Sequence, residues 1–325
     1  MEAKVTNVNE LNGGGDMVTQ LINNDFDPSC LRTNAALPHD AWLSIDSAII
    51  RVAGQRLNGI ADLQSYGLTR TLTGGLGAKY DFWQTVSDDL SAQQNMEGVT
   101  VGAKNRLAFG ETMIPIPLTF CDFDIGIREL AASQKDGRPI DTTHIEVATR
   151  KVIEKLEDTL FNGSTVVAGG YDLPGYLTYS GSNEVALTGS WTSTPTNIEK
   201  DVVKLIARAE ADRHYGPYVL YLHTDEWADM RIRDTVLGLP YLEILKSMAG
   251  VADVKPSDAL GNGEIALVSM TSDVISLATA VDIVAVPWES HGGMLKHFRV
   301  MAAIAPRCMS DSAGRCGICF DNNLT

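Results

Sequence analysis

Cysteine is scarce and oddly counted: five residues, at 30, 121, 308, 316 and 319, in a chain of 325. A chain of this length buries a core without covalent staples, and an odd scattered set is no disulfide framework, so reduced thiols are expected. The opening "MEAKVTNVNELNGGG" has no apolar h-region, which gives the expectation of a chain folding in the cytosol. Long apolar runs are missing too. The best, "VISLATAVDIVAVPW" (Val274 to Trp288), is interrupted by Asp282 and falls short of a membrane span. Positive charge is short, with 26 basic against 41 acidic side chains, a balance of −15 and no long basic block. That surface repels phosphate and argues against sequence-specific nucleic-acid binding, though not against enclosing nucleic acid. The six histidines, His39, His144, His214, His223, His291 and His297, never fall in a pattern such as H-E-x-x-H. No metal, no cofactor and no catalytic activity is expected.

What is present is organisation. Residues 1–37 are polar, include "NGGG", show no periodicity and are expected to form an arm. In "PHDAWLSIDSAIIRVAGQRLNG", Trp42, Ile45, Ile49, Val52 and Ala53 share one helical face, with Asn58-Gly59 predicted as its stop. Between Leu68 and Ile125 the chain turns rich in glycine, aromatic and β-branched residues, which predicts a long β-ribbon. Its return limb alternates Ile114, Ile116, Leu118 and Phe120 with Pro115, Pro117, Thr119 and Cys121. Two prolines in a strand place it at an edge, and an apolar edge seeks a neighbour. Ile116→Asp is therefore expected to leave a folded subunit that fails to associate.

Thr143 and Glu146 read as a capping box ahead of Ile145, Ala148, Val152, Leu156 and Leu160, predicting a helix over 143–161. Thr196 and Glu199 repeat the pattern before Ile198, Val202, Leu205, Ile206 and Ala209, and Gly216-Pro217 ends that helix. Strands and helices alternate afterwards: "YVLYLH", "TDEWADMRI", "YLEILKSM", Glu264 to Val268, Asp282 to Val286 and finally "MLKHFRVMAAIAP". This alternation predicts a mixed α/β module.

The order of these elements, with "PIPLTF…DFDI", "GPYVLYLHTDEW", "LPYLEIL", "VAVPWES" and "HFRVMAAIAPR", resembles encapsulin shell proteins and the major capsid proteins of tailed bacteriophages. The similarity runs from about Asp40 to Arg307. It implies an α+β phage capsid/encapsulin shell fold: an N-terminal arm (1–37), an N-terminal helix region (38–67) and an extension loop (68–118). A peripheral domain (119–170 and 287–325) would carry the spine helix 143–161, and an axial domain would span 171–286. The implied function is structural, a virion coat assembled in the host bacterial cytoplasm around double-stranded DNA. Its partners would be further copies of itself, as hexamers and pentamers, with portal, scaffold and decoration proteins, and no membrane. The polar stretch before the first helix looks more like a phage arm than an encapsulin start. The alternative is an encapsulin nanocompartment around a cargo enzyme. Ile114, Ile116, Leu118 and Phe120 are the expected intersubunit contacts in the extension loop.

Other motifs have plainer readings. Gly74-Gly75-Leu76-Gly77 fits neither a P-loop nor a dinucleotide fingerprint and is expected to be a bend. "SHGGM" at Ser290 to Met294 comes with no G-x-S-x-G elbow and reads as a turn. Asp88-Asp89 and Asp122/Asp124 read as solvated carboxylates. Cys308, Cys316 and Cys319 near the C-terminus leave three readings open: a plain terminus, a disulfide within or between subunits, or a zinc site lacking a clear fourth ligand.

Overall fold

The computed structural model describes residues 58–86, 94, 96, 109–126, 143–234, 238–291, 295–311 and 313–322. The expected arm, the helical face between Trp42 and Ala53, and Asp88-Asp89 lie outside these residues. The chain divides into two compact units, one from Met1–Lys79, Ile116–Leu160 and Leu277–Pro306, the other from Tyr80–Pro115, Phe161–Ser276 and Arg307–Thr325.

In the first unit, helix α1 (Asn58–Ser65) precedes strand β1 (Thr69–Thr71). The preceding helix that the Asn58-Gly59 pair is expected to stop lies outside the described residues, and α1 starts at that pair. Its donors are satisfied from far along the chain: Glu157 Oε1 accepts from Gly59 N at 2.7 Å. No local pattern announces a cap supplied from about a hundred residues away. The glycine cluster closes a 3-10 turn at Gly75–Gly77, in which Gly77 N donates to Gly74 O and Ala78 N to Gly75 O. Those amides point back into the turn, away from any phosphate. Gly74 has φ +106°, a conformation a side chain would resist.

Strand β4 (Thr119–Gly126) and the spine helix α2 (Thr143–Asn162) follow, and the long strands β11 (Ile275–Ser290) and β12 (Leu295–Cys308) complete a sheet of order β1-β11-β12-β4. β4 and β12 run antiparallel, with Asp124 opposite His297 and Asp122 opposite Arg299. One sheet face carries Phe123, stacked between Phe298 at 5.2 Å and His144 of α2 at 6.3 Å. Ile145, Val152, Ile153 and Leu156 present the buried stripe of α2, the helical period read in the sequence.

The second unit holds the antiparallel pair β2 (Tyr80–Val86) and β3 (Phe109–Pro115), and the hairpin β5 (Ser164–Ala168) with β6 (Tyr171–Leu173). It also holds a five-stranded sheet. That sheet joins β7 (Asn183–Glu184), β8 (Tyr218–Leu222), β9 (Val251–Pro256), β10 (Ile265–Ser269) and β13 (Ile318–Asp321) in the order β7-β13-β10-β8-β9. Helices α3 (Asn197–Ala211), α4 (Thr224–Asp229) and α5 (Tyr241–Ser247) complete it. β8 is buried along its whole length because both faces are covered. Leu220 and Leu222 pack with Trp191, Ile198, Val202, Leu205 and Leu245. On the other face Tyr221 meets the edge of Phe161 at 5.2 Å, and Phe161 meets Tyr176 edge-on at 5.2 Å.

Thr196 does not act as the expected side-chain cap. It has helical φ and ψ and makes no side-chain cap bond. A turn beginning two residues earlier takes that role, with Asn197 N donating to Thr194 O and Ile198 N to Pro195 O. His223 caps α4 instead, its Nδ1 accepting from Asp225 N.

The expected domain borders move as well. β13, expected as part of a tail on the peripheral side, is an interior strand of the five-stranded sheet, antiparallel to β10 and parallel to β7. Its four residues are all buried. A four-residue run beside a glycine carries too little periodicity to be read as a strand.

Candidate assembly surface

β2 and β3 form the paired limbs within the expected extension loop, and their register decides which side chains share a face. Asp81 lies opposite Ile114, Phe82 opposite Met113, Trp83 opposite Thr112 and Val86 opposite Phe109. Alternation then puts Asp81, Trp83 and Ile114 on one face and Phe82, Val86, Phe109 and Met113 on the other. The first face is held inside the subunit. Arg307 reaches it with Nη1 3.6 Å from the buried Asp81 carboxylate and its guanidinium 4.4 Å above the Trp83 ring. The second face is anchored at its base, where Gly169 comes so close that a Cβ there would sit 3.1 Å from Met113 Cε.

Further out, Phe82 is 61% exposed, Val86 46% and Phe109 64%. Three large apolar side chains on one face of a two-stranded ribbon are unusual for a surface with no partner. Among the described residues the ribbon pairs with no further strand, which leaves both outer edges open.

The structure separates the four expected contact residues. Ile114 and Ile116 are buried in the subunit, at 4% and 8% exposure, while Leu118 and Phe120 are exposed at 39% and 52%. Ile114 and Ile116 thus belong to the subunit's own core. Ile116→Asp is accordingly expected to damage folding itself, because it would bury an unpaired charge. Alternation in the sequence finds a face but does not say whether that face turns inward. Phe82, Val86 and Phe109 were missed because their own limb mixes them with Asp81, Gln84 and Thr85. The cross-strand register is what unites them.

Phe120 lies under a different contact. The Arg299 guanidinium sits 4.4 Å from its ring centroid and forms a bidentate pair with Asp122, both bonds at 2.6 Å. That pair holds the Asp122 carboxyl below its ordinary value. Asp122 is thus a paired carboxylate with no proton to give near neutrality.

The three clustered cysteines are free and buried. Burial pushes all three thiols upward, Cys316 to about 11 and Cys319 to about 12, and Cys308 further still. Cys319 belongs to the core around Leu267 and Leu205, and Cys316 Sγ lies 3.4 Å from Met309 O. Sulfurs so placed do not meet a neighbouring chain's thiol without local opening. Non-reducing and reducing gels of native particles should therefore show the same monomer band. A ladder lost on reduction would reinstate an intersubunit staple. Among the described residues no group of three or more His, Cys, Asp or Glu side chains is placed to hold a metal ion. Nor, among those residues, is any helix long and apolar enough to cross a membrane.

The Arg307 contact predicts a local effect. Arg307→Ala removes both the charge facing Asp81 and the cation over Trp83. A cation–π contact is worth about 1 kcal/mol when partly desolvated. Amide exchange of β2 and β3 should accelerate roughly fivefold to tenfold, with β8 and β10 unchanged. Equal protection in the variant would show that the ribbon is held by other contacts.

Comparison with known proteins agrees with this architecture. No curated protein sequence matches the chain. Among solved structures, a virus-like particle from Pyrococcus furiosus superimposes with a TM-score of 0.63 at 18% identity, covering 85% of this chain and 97% of that one. The capsid of Myoviridae phage XM1 gives 0.61 at 11% identity, covering 80% and 91%. An empty GTA particle capsid gives 0.58 at 12% identity, covering 83% and 91%. These likenesses establish the α+β phage capsid/encapsulin shell fold. The family model Linocin_M18, described as an encapsulating protein for peroxidase, matches residues 29–305. Since that span covers most of the sequence, the chain belongs to the Linocin_M18 family of encapsulating shell proteins.

Proposed function

We propose that this protein is the coat subunit of a tailed-phage-type capsid, assembling through its β2–β3 ribbon into a closed icosahedral shell around double-stranded DNA. The observation that carries the assembly part is the row Phe82, Val86 and Phe109, left apolar and exposed on one ribbon face. Burying each such side chain stabilises a contact by about 1.5–3 kcal/mol. Closed symmetry repeats a modest contact many times, so no single interface has to be strong. The net charge of −15 supports the DNA part, because an acidic wall repels packaged phosphate and leaves it free to move.

A second reading has its own support. The matching family model is described by peroxidase encapsulation, which favours a nanocompartment holding a cargo enzyme. Electron microscopy and the 260 nm absorbance of particles from the native source separate the two. Nuclease-protected DNA inside shells supports the capsid. Shells with a protein cargo and no DNA support the nanocompartment, and a monodisperse monomer that never assembles overturns both.

A further inference from the structure

The facing ends of β4, β11 and β12 bring together side chains that the assembly reading does not draw on. His297 Nδ1 is hydrogen-bonded to Asp124 Oδ1, and His297 Nε2 is hydrogen-bonded to Ser290 Oγ. The three side chains come from three strands, β4, β11 and β12, and the Asp124–His297 link follows from their direct cross-strand register. A hydroxyl on one imidazole nitrogen and a carboxylate on the other is the constellation that makes serine a nucleophile. It is recognised by geometry and role, whatever the order of the residues in the chain.

The surroundings keep the imidazole in place. Trp288 stacks on His297, with centroids 5.2 Å apart and planes 17° apart. Arg299, 5.5 Å from the Trp288 ring centroid, is neutralised by Asp122. It therefore adds packing and little net charge beside the imidazole. His291, at φ +53°, turns its ring back so that Nδ1 lies 2.8 Å from Ser290 Oγ. A non-glycine residue in the left-handed region is uncommon and clusters at functional sites.

We propose that Ser290 is an activated nucleophile that forms covalent adducts with acyl or organophosphorus electrophiles, with His297 as its general base and Asp124 as the residue that orients the imidazole. In the step, Ser290 Oγ attacks the electrophilic carbon or phosphorus as its proton passes to His297 Nε2. The Oγ–C or Oγ–P bond forms and the bond to the leaving group breaks. With a fluorophosphonate the leaving group is fluoride; with an ester it is an alkoxide, which takes the proton back from His297. No oxidant or further reactant is required. Trp288 walls the site with an apolar plane, so an apolar acyl group is the fitting class. Asp124 is more than half exposed, at 56% of its side chain. Water then screens its hold on the imidazole, and adduct formation, more than rapid turnover, is the expected outcome.

The inference does not depend on the shell reading, and the test uses the full-length protein. An alkyl fluorophosphonate is incubated with wild type, Ser290→Ala, His297→Gln and Asp124→Asn, and adducts are located by peptide mass spectrometry. Ser290 should be labelled at least tenfold faster than the exposed Ser272. A general base contributes roughly a hundredfold or more, so His297→Gln should drop the rate to the Ser272 level, and Asp124→Asn should lower it to a smaller degree. Labelling of Ser290 no faster than Ser272 overturns the proposal. So does undiminished labelling in a folded His297→Gln protein, and so does a loss of melting temperature in Ser290→Ala with no labelling of wild type, which would leave the hydrogen bonds a turn lock only.

Discussion

Replacing Phe82 and Phe109 together by aspartate should abolish shells while leaving a subunit that melts as the parent does. Both rings are mostly exposed in the subunit, at 61% and 64%, and surface substitutions of that kind change stability by about 0.5 kcal/mol or less. In an assembled contact the same positions would hold two desolvated carboxylates, each costing several kcal/mol at every repeat of the interface. Size-exclusion chromatography with electron microscopy reads the outcome directly. Normal shells from the double variant would remove the ribbon face from the assembly mechanism.

The second large effect is expected in the pH dependence of stability. Glu157 sits in the spine helix with its carboxyl raised to about 7, first by burial, against the lowering influence of the Gly59, Ile60 and Asn58 amides at the start of α1. Asp62 adds repulsion from the same helix. Because the folded value lies above the unfolded one near 4.5, the folded state binds the proton more tightly between these values. Its contribution is complete below pH 4.5 and is lost as pH rises through 7. Two to three units correspond to about 3 kcal/mol. Glu157→Gln keeps an amide oxygen for Gly59 N and cannot ionise, so its stability should be nearly level across this window while the parent falls. Denaturant melts at pH 5 and pH 7.5 measure the slope. Parallel slopes would mean that the carboxyl ionises without penalty.

These two predictions draw on different depths of legibility. The spine helix was readable because its apolar stripe repeats over twenty residues, Thr143–Asn162, long enough for the period to stand clear. Of the ribbon expected over Leu68 to Ile125, β1 and β4 belong to the four-stranded sheet, and composition makes the β2–β3 pair legible but not its outward face. Facing depends on what packs beneath it, and Arg307, which holds the inner face, is more than two hundred residues away in the chain. The start of α1 at Asn58-Gly59 is illegible for a related reason, because the acceptor for its amides, Glu157, comes from far along the chain. At Ser290 the sequence offers a turn and no elbow, and Gly292 to Met294 of that stretch lie outside the described residues. The neighbours His297 and Asp124 gather only when β4 and β12 pair. The cysteines read as a tail because strand β13 is too short to show a pattern before its partners β7 and β10 are known.

β13 carries one more consequence, which concerns the order of synthesis. It lies between β7 and β10, so those two strands stay unjoined until residue 321 has been made. The ribbon at 80–115 leaves the ribosome long before Arg307 exists to fasten its inner face. A growing chain therefore displays the sticky element early and the clasp late. Neighbouring nascent subunits on one messenger would meet through ribbons not yet set, unless translation finishes faster than ribbons find each other.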